Sequence, residues 1–215
     1  MLLRRPLRSG VARSDGLPCP VVPDITQLIL DDHAWFRQQF ADLDDLQAQG
    51  PLDVAAVQRV WEPLAARLDV HAIAEERIFY PQLLRFGEDP REETLDAIGD
   101  HNDIRDAVHD AARHPLGTEA WWDAVGAARQ ANDEHMAEEE REGLSDFRLH
   151  APSGLRDALG VQFAEFLQAH PDTAGLDVSD KDPEGYVREA EREVTSADPE
   201  ASSDTSLGIG SLKGK

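Results

Sequence analysis

Four histidines occupy positions where apolar residues would be expected, one on each of four long helical patterns. They are His33, His71, His101 and His135. Glu75 follows His71 by four residues, and Glu139 follows His135 by the same step, so each pair shares one face of a helix. Imidazoles and carboxylates without thiolates are a donor set suited to iron, manganese or zinc. The spacing therefore indicates metal chemistry.

A metal is not the only reading of each residue taken singly, because a lone histidine on an apolar stripe is usually a packed core or boundary residue. The coincidence of six such residues favours a metal, since burying an ionised carboxylate without a partner costs several kcal/mol. Only Arg105 lies on the same faces to balance the charge. Six protein ligands are too many for one zinc ion, but divided over two ions they leave coordination positions open.

The elements that must position these residues are helices, because large apolar residues recur at steps of three and four. The first pattern begins at Ile25 and ends at Gly50 and Pro51. The others cover about 54–84, 92–113, 118–147 and 153–171. Pro63 and Pro81 predict kinks or new segments within the second pattern. We predict an all-α fold: an antiparallel up-down four-helix bundle with an additional C-terminal helix and a disordered tail.

Residues beside the predicted ligands raise a second question. Asp32, Asp100 and Glu134 each directly precede a histidine, and adjacent helical residues point about 100° apart. We expect these carboxylates on a solvated face, with support of the ligands as the alternative. Tyr80 lies five residues after Glu75 and is expected to pack in the core, with lining of the metal site as the alternative.

The composition of the chain argues against several classes of binding partner. The chain has 215 residues and a formal net charge of -22, which opposes binding to nucleic acid or to an anionic membrane. Cys19 is the single cysteine, so no intrachain disulfide can form, and a cytoplasmic location is expected. No apolar run has the length of a signal peptide or a membrane span. Residues 1–22 are interpreted as a flexible leader, and 24–171 as the helical domain.

The C-terminal part divides into two segments. Residues 172–205 are predicted to be a disordered linker, since ten acidic and three basic residues stand between Gly175 and Ser206 with few large apolar residues. The stretch GYVREAERE within it is expected to form at most a transient helix. The last ten residues, SLGIGSLKGK at 206–215, are typical of a tethered docking peptide. Its pocket-filling residues would be Leu207, Ile209 and Leu212.

Over about residues 24–148 the chain resembles the hemerythrins and hemerythrin-like cation-binding proteins. The resemblance lies in four motifs that occur in this order: DDHAWF, HAIAEERIFYPQL, GDHNDIR and DEHMAEEE. The resemblance implies a four-helix bundle that holds two iron ions (Fe²⁺/Fe³⁺), bridged by oxo or hydroxo, which react with dioxygen or its reduced products. It assigns the ligand role to His33, His71, Glu75, His101, His135 and Glu139.

Two positions depart from the oxygen-carrying members of this family. Arg105 stands where they have a further histidine, which argues against reversible oxygen carriage. Their last ligand is an aspartate five residues after the histidine of the fourth helix, where this chain has Glu140. We prefer Glu139, because a step of four stays within about 40° of His135 and a step of five does not. The choice between Glu139 and Glu140 stays open at this point.

The tail resembles the targeting peptides that load cargo enzymes into encapsulin protein nanocompartments, among whose cargo classes are hemerythrin-like proteins. This resemblance implies binding of residues 206–215 to the shell protein and a place inside the compartment. We predict a di-iron cargo protein that binds or consumes O₂, H₂O₂ or NO in oxidative or nitrosative stress. Weak catalase or NO-removing turnover, a non-enzymatic sensor, a ferroxidase that feeds iron storage, a metal-free interaction module, and homodimer formation are left open.

Overall fold

The computed structural model describes residues 24–197, and this part of the chain is helical with no strand. Its helices are α1 (Ile25–Ala48), α2 (Val54–Ala74), α3 (Tyr80–Phe86), α4 (Pro90–Ala111), α5 (Glu119–Arg141), α6 (Gly143–His150), α7 (Ser153–Ala169) and α8 (Pro183–Ala197). The prediction of an all-α protein is confirmed for the described residues. The leader 1–22, Cys19 and the peptide 206–215 lie outside them.

Local sequence explains where these helices begin and end. The side chains of Asp24, Asp53 and Thr118 accept hydrogen bonds from the first turns of α1, α2 and α5, as capping residues do. After α1 the chain turns at Gly50, whose φ of 107° is favourable only for glycine. The predicted fourth helix is divided at Glu142, where α5 gives way to α6.

Helix α2 continues through Pro63 and passes directly into a π-helical turn, Glu75–Phe79, and then into α3. In the π turn the N–H of Tyr80 donates to the carbonyl of Glu75, five residues back. Pro81 stands in the first turn of α3 and offers no N–H, so the wider turn before it accommodates the proline. The sequence predicted a kink or a new segment at this proline.

Apolar side chains form two clusters that flank a polar layer. The first cluster includes Phe36, Leu68, Ile104, Trp121 and Met136. The second includes Ile29, Ala74, Phe79, Ile98, Leu144 and Phe163. His33 lies between Ile29 and Phe36 along α1, and His101 lies between Ile98 and Ile104 along α4. The buried histidines therefore mark the level at which the two clusters meet.

Helix α7, the additional C-terminal helix of the prediction, packs against α1, α2 and the π turn. Its Phe163 is fully buried and its ring lies 5.8 Å from that of His71. Among the described residues, no helix is both long and apolar enough to cross a bilayer.

The segment predicted to be a disordered linker is structured over much of its length. Helix α8 packs against α3 and α4, and its Val187 and Ala190 are buried. In this helix Tyr186, Val187 and Ala190 return to one face, while Glu184 and Glu191 pair with Arg91 of α4. The acidic charge that predicted an extended chain is thus partly neutralised by Arg91, which lies outside the segment.

Candidate metal centre

The six residues predicted as ligands come together in the polar layer. His33 is on α1, His71 is on α2, Glu75 opens the π turn, His101 is on α4, and His135 and Glu139 are on α5. All six are buried, with 6% or less of each residue exposed. Their proximity follows from one histidine on each of four helices at the same level, with each glutamate four residues after a histidine, whereas the ligand role itself stays a prediction.

Glu75 lies at the centre of this cluster, with its two carboxylate oxygens facing different histidines. Oε1 lies 2.9 Å from Nε2 of His71, and Oε2 lies 3.3 Å from Nε2 of His101. Two groups of ligand atoms result, His33 with His71 and Glu75, and Glu75 with His101 and His135. Within each group the atoms are within 4.8 Å of one another. Glu75 is the residue that belongs to both.

Glu139 lies on the side of the cluster nearest His33. Its Oε2 is 3.3 Å from Nε2 of His33, and its Oε1 accepts a hydrogen bond of 2.9 Å from the hydroxyl of Tyr80. Burial and the neighbouring carboxylates of Glu139 and Glu75 raise the pKa of Tyr80 well above its ordinary value, so the phenol keeps its proton. Tyr80 therefore both packs in the core and holds Glu139.

The arrangement of polar atoms fits a bound cation. Nε2 of His33, Nε2 of His71, both oxygens of Glu75 and Oε2 of Glu139 are buried and make no hydrogen bond among the described residues. Nε2 of His71 and Oε1 of Glu75 approach to 2.9 Å without hydrogen-bond alignment. Buried atoms left in this way are costly unless a further group satisfies them. Lone pairs that converge on a shared space are what a metal ion requires.

Each of the four imidazoles also meets a carboxylate at its other ring nitrogen. The Nδ1 contacts are His33 to Glu140 at 3.0 Å, His71 to Asp32 at 2.9 Å, His101 to Glu76 at 3.1 Å and His135 to Asp100 at 3.4 Å. In a neutral imidazole an acceptor at Nδ1 favours the tautomer in which Nε2 carries no hydrogen, and it also sets the ring orientation. All four imidazoles are therefore prepared to bind a metal through Nε2.

Sequence reasoning identified the histidines, but it gave support of the ligands only as the alternative for Asp32 and Asp100, and it assigned no such role to Glu76 or Glu140. Asp32 and Asp100 had been expected on a solvated face, because each points away from the apolar stripe of its own helix. In the structure each reaches the histidine of a neighbouring helix instead. Glu134 does lie at the surface, where Gln130 donates to it. The carboxylate beside His33 is Glu140, which also pairs with Arg37 at 2.9 Å.

The π turn explains why two consecutive glutamates, Glu75 and Glu76, are both buried. Glu76 contacts Nδ1 of His101 and the guanidinium of Arg105, and its Oε2 lies 2.7 Å from Nζ of Lys181. Burial alone would raise the pKa of Glu76, but His101, Arg105 and Lys181 outweigh it and lower the pKa to about 2. Arg105 thus binds a supporting carboxylate.

Without a metal, the carboxylates of the cluster raise the pKa values of three of its histidines. Burial would lower the pKa of His71, but the carboxylates of Glu75 and Asp32 raise it to about 10. Burial is likewise outweighed at His33 and His101, whose pKa values are raised by neighbouring glutamates. Protons on the imidazoles then supply the positive charge that metal ions would supply, so metal binding must release protons.

One side of the cluster opens toward solvent through a cavity of ≈ 30 Å³, enough for a molecule the size of water. Its inner wall includes Tyr80, His135 and Glu139. Acidic residues form the rest of its polar lining, namely Glu93, Asp96, Asp100, Glu138 and Glu142. Small ligands and cations can therefore approach the centre from this side.

The remaining histidines lie outside the cluster. His109 is 3.7 Å from Asp69 at the edge of the helical layer, and His150 and His170 bond to the last turns of α6 and α7. Trp121, far from the metal level, packs its ring 5.4 Å from that of Trp61 in the first apolar cluster. These contacts give His109, His150, His170 and Trp121 structural roles outside the cluster.

An all-helical domain with imidazoles and carboxylates converging in its core defines a helical cation-binding protein. Comparison with family models gives the more particular class: residues 24–144 match the hemerythrin HHE cation-binding domain. This match covers more than half of the chain, which therefore belongs to the hemerythrin HHE family. Comparisons with curated proteins and with solved structures find no match.

Proposed function

We propose that the chain is a non-heme di-iron protein that binds or consumes dioxygen, hydrogen peroxide or nitric oxide. The observation that carries the proposal is the position of Glu75, whose two oxygens face imidazoles in two separate groups. A carboxylate shared in this way suits two ions rather than one. The nitrogen and oxygen donor set suits iron, and it lacks the thiolates of a structural zinc or iron-sulfur site.

The proposal includes an antiparallel up-down four-helix bundle formed by α1, α2, α4 and α5. The order in which the chain meets the two apolar clusters supports it. Along α1 and α4 the residues of the second cluster come first, as Ile29 precedes Phe36. Along α2 and α5 with its continuation the order is reversed, as Leu68 precedes Ala74. Alternating order is expected when consecutive long helices alternate in direction.

Iron, when bound, would exchange electrons with the small ligand. The chain's own residues would position that exchange, because the Nε2 atoms and Glu75 would hold the ions and Tyr80 holds Glu139 through its hydroxyl. The cavity beside His135 and Glu139 admits a molecule of about the size of water. Arg105 forms an ion pair with Glu76 and supplies no imidazole. Fewer protein ligands are therefore available than in an oxygen carrier.

Metal analysis tests the centre directly. Full-length protein from cells grown with iron should contain two iron ions per chain by mass spectrometry and should absorb in the near ultraviolet. His71→Ala should lose iron and that absorption. His114→Ala is the matched control and should keep both, because His114 follows the end of α4 and lies 3.6 Å from Asp110, outside the cluster. Iron-free wild-type protein under these conditions would instead favour a metal-free interaction module.

Turnover distinguishes an enzyme from a sensor. Iron-loaded wild-type protein should remove hydrogen peroxide or nitric oxide faster than His71→Ala does. Loss at the same background rate in both proteins, with iron still bound in the wild type, would favour a non-enzymatic binding or sensing role.

A ferroxidase that feeds iron storage is the second candidate, favoured by the acidic lining of the cavity. Glu93, Asp96 and Glu142 would attract a cation, whereas dioxygen, peroxide and nitric oxide gain nothing from negative charge. This candidate predicts uptake of ferrous iron beyond two ions per chain when oxygen is supplied. Saturation at two ions would exclude it.

The proposal places the protein inside an encapsulin compartment, in the cytoplasm, on the ground of the peptide SLGIGSLKGK at 206–215. Leu207, Ile209 and Leu212 would bind the inner surface of the shell. Truncation before Ser206 should abolish co-purification with co-expressed shell protein and leave the iron content unchanged. A substitution at Leu207, Ile209 and Leu212 to serine should act in the same way, and unchanged loading of both variants would refute the shell role.

A further inference from the structure

The segment before and within α8 lies against α4, which carries His101, and contacts Glu76 of the π turn. Asn102, next to His101 in α4, makes a paired contact with the backbone of Lys181. Its side-chain amide donates to the carbonyl of Lys181 at 2.8 Å, and its carbonyl accepts from the N–H of Lys181 at 2.9 Å. Two hydrogen bonds from one side chain fix both the position and the direction of the backbone there.

The side chain of Lys181 turns from this anchor toward Glu76. Nζ lies 2.7 Å from Oε2 of Glu76, an oxygen that makes no hydrogen bond among the described residues. The contact is an ion pair without hydrogen-bond alignment, which charge attraction at this distance does not require. The other oxygen of Glu76 faces His101 and Arg105. Lys181 is therefore the cation on one side of a carboxylate that orients an imidazole on the other.

Helix α8 also contacts the backbone of Glu76. The hydroxyl of Tyr186 donates to the carbonyl of Glu76 at 2.5 Å, inside the π turn. Val187 and Ala190, on the same helix, are buried. Their burial fixes α8, and with it Tyr186, against the rest of the protein. Residues 181–190 thus contact Glu76 at its side chain and at its main chain.

We propose that the strap formed by residues 181–190 is a working part of the metal centre, in which Lys181 and Tyr186 position Glu76 and thereby fix the ring of His101. This inference rests on the proposed metal-binding function and names a positioning role outside the family match, which ends at residue 144. The ion affected is the one assigned to Glu75, His101 and His135. The ion assigned to His33, His71 and Glu75 has its own supports, Glu140 and Asp32.

The chemistry behind the proposal is the cost of leaving a buried carboxylate oxygen without a countercharge. Without the ammonium, Oε2 of Glu76 would move toward water, and Nδ1 of His101 would lose its aligned acceptor. Loss of such a supporting acceptor typically weakens metal binding 10- to 100-fold. The group of His33, His71 and Glu75 should keep its affinity, because its two histidines have Glu140 and Asp32 rather than Glu76 at Nδ1.

The test compares full-length Lys181→Met with wild type, both loaded with ferrous iron without oxygen and then titrated with a ferrous chelator. Wild type should release its two ions in the order set by their affinities. The variant should release one of them at a chelator concentration about 10- to 100-fold lower and the other at the wild-type concentration. Lys181→Arg, which keeps the positive charge, should restore most of the loss, and Tyr186→Phe should give a smaller shift of the same ion.

Arg188→Met is the matched control, because Arg188 is an exposed cation of α8 that pairs only with Asp182 and Glu184 among the described residues. It should release both ions as wild type does. Identical release curves for Lys181→Met and wild type would overturn the strap proposal. So would an equal weakening of both ions or a failure of Lys181→Arg to restore binding, since either result indicates general destabilisation. Wild-type protein that binds no iron would refute the proposed function itself, a distinguishable result.

Discussion

Nδ1 of His71 lies 2.9 Å from Oδ2 of Asp32, although Asp32 is the chain neighbour of a different histidine, His33. The same exchange occurs on the other side of the centre, where Asp100 precedes His101 but contacts His135. A carboxylate one step from a core histidine is rotated by about 100° and faces the adjacent helix. Supporting carboxylates thus tie helices together in pairs while each histidine points inward.

Asp32→Asn should weaken iron binding at the group formed by His33, His71 and Glu75 by about 10-fold or more, because the imidazole of His71 loses its anionic acceptor. Chelator titration of the iron-loaded protein measures this effect. Asp31→Asn is the control, since Asp31 is exposed and bonded only to Gln27 among the described residues. Equal affinities in the two variants would show that the contact at Nδ1 has no role in metal retention.

The histidines could be predicted because each interrupts a regular apolar stripe, and the sequence alone fixes that stripe through the helical period. For the supporting carboxylates the sequence offered only an alternative at Asp32 and Asp100 and no partner, since the partner of Asp32 depends on how α1 and α2 pack rather than on either sequence. The role of Glu76 could not be predicted for a further reason. This residue follows His71 by five residues, and only the π turn brings it inward together with Glu75.

The prediction of a disordered linker failed at α8, because net charge was weighed without the residues that neutralise it. A signal was present: Tyr186, Val187, Ala190 and Val194 recur at helical spacing. Val187 and Ala190 are buried where α8 meets α3 and α4, and the segment is held there by contacts with Arg91 and Asn102, which lie far away in the sequence. Long-range pairing of this kind has no local signature.

Glu139→Gln and Glu140→Gln should differ in kind. Oε2 of Glu139 is buried without a hydrogen bond and faces Nε2 of His33, so its loss should reduce the iron content or change the absorption spectrum. Glu140 lies behind His33 and pairs with Arg37, so Glu140→Gln should keep both ions with a weaker affinity for one. Metal analysis and spectra of the two proteins at equal iron loading provide the measurement. The reverse order of effects would assign the ligand role to Glu140.

Glu93→Gln should stabilise the protein at high pH only. Burial, together with the carboxylates of Asp146, Glu142 and Asp89, raises the pKa of Glu93 to about 7. Because this carboxyl ionises less readily in the folded state, its contribution to stability is greatest below about pH 4.5 and is lost as the pH rises through about 7. The variant should therefore melt at a higher temperature than wild type near pH 8 and at the same temperature near pH 5.

Glu92→Gln serves as the control for this comparison, because the neighbouring Glu92 is exposed and does not line the cavity. The melting temperature of Glu92→Gln relative to wild type should be the same at the two pH values. A melting temperature of Glu93→Gln that exceeds wild type equally at both pH values would point to a change in packing rather than to removal of a charge.

Iron-free protein should lose stability as the pH rises from about 6.5 toward 10, whereas iron-loaded protein should not. Burial would lower the pKa of His71, but Glu75 and Asp32 raise it from 6.5 to about 10, so its proton stabilises the folded chain. A group whose folded pKa is raised contributes fully below its unfolded pKa, and this contribution is lost as the pH rises through the folded value. Iron held at Nε2 would replace that proton and its charge.

Thermal unfolding of chelator-treated and iron-loaded protein between about pH 6.5 and pH 9 measures the difference. The iron-free melting temperature should fall by several degrees over this range, and the separation between the two curves should widen. Metal analysis after each scan verifies that the loaded sample kept its iron. Parallel curves over the whole range would contradict the exchange of protons for metal at His71, because both forms would then carry the same protons.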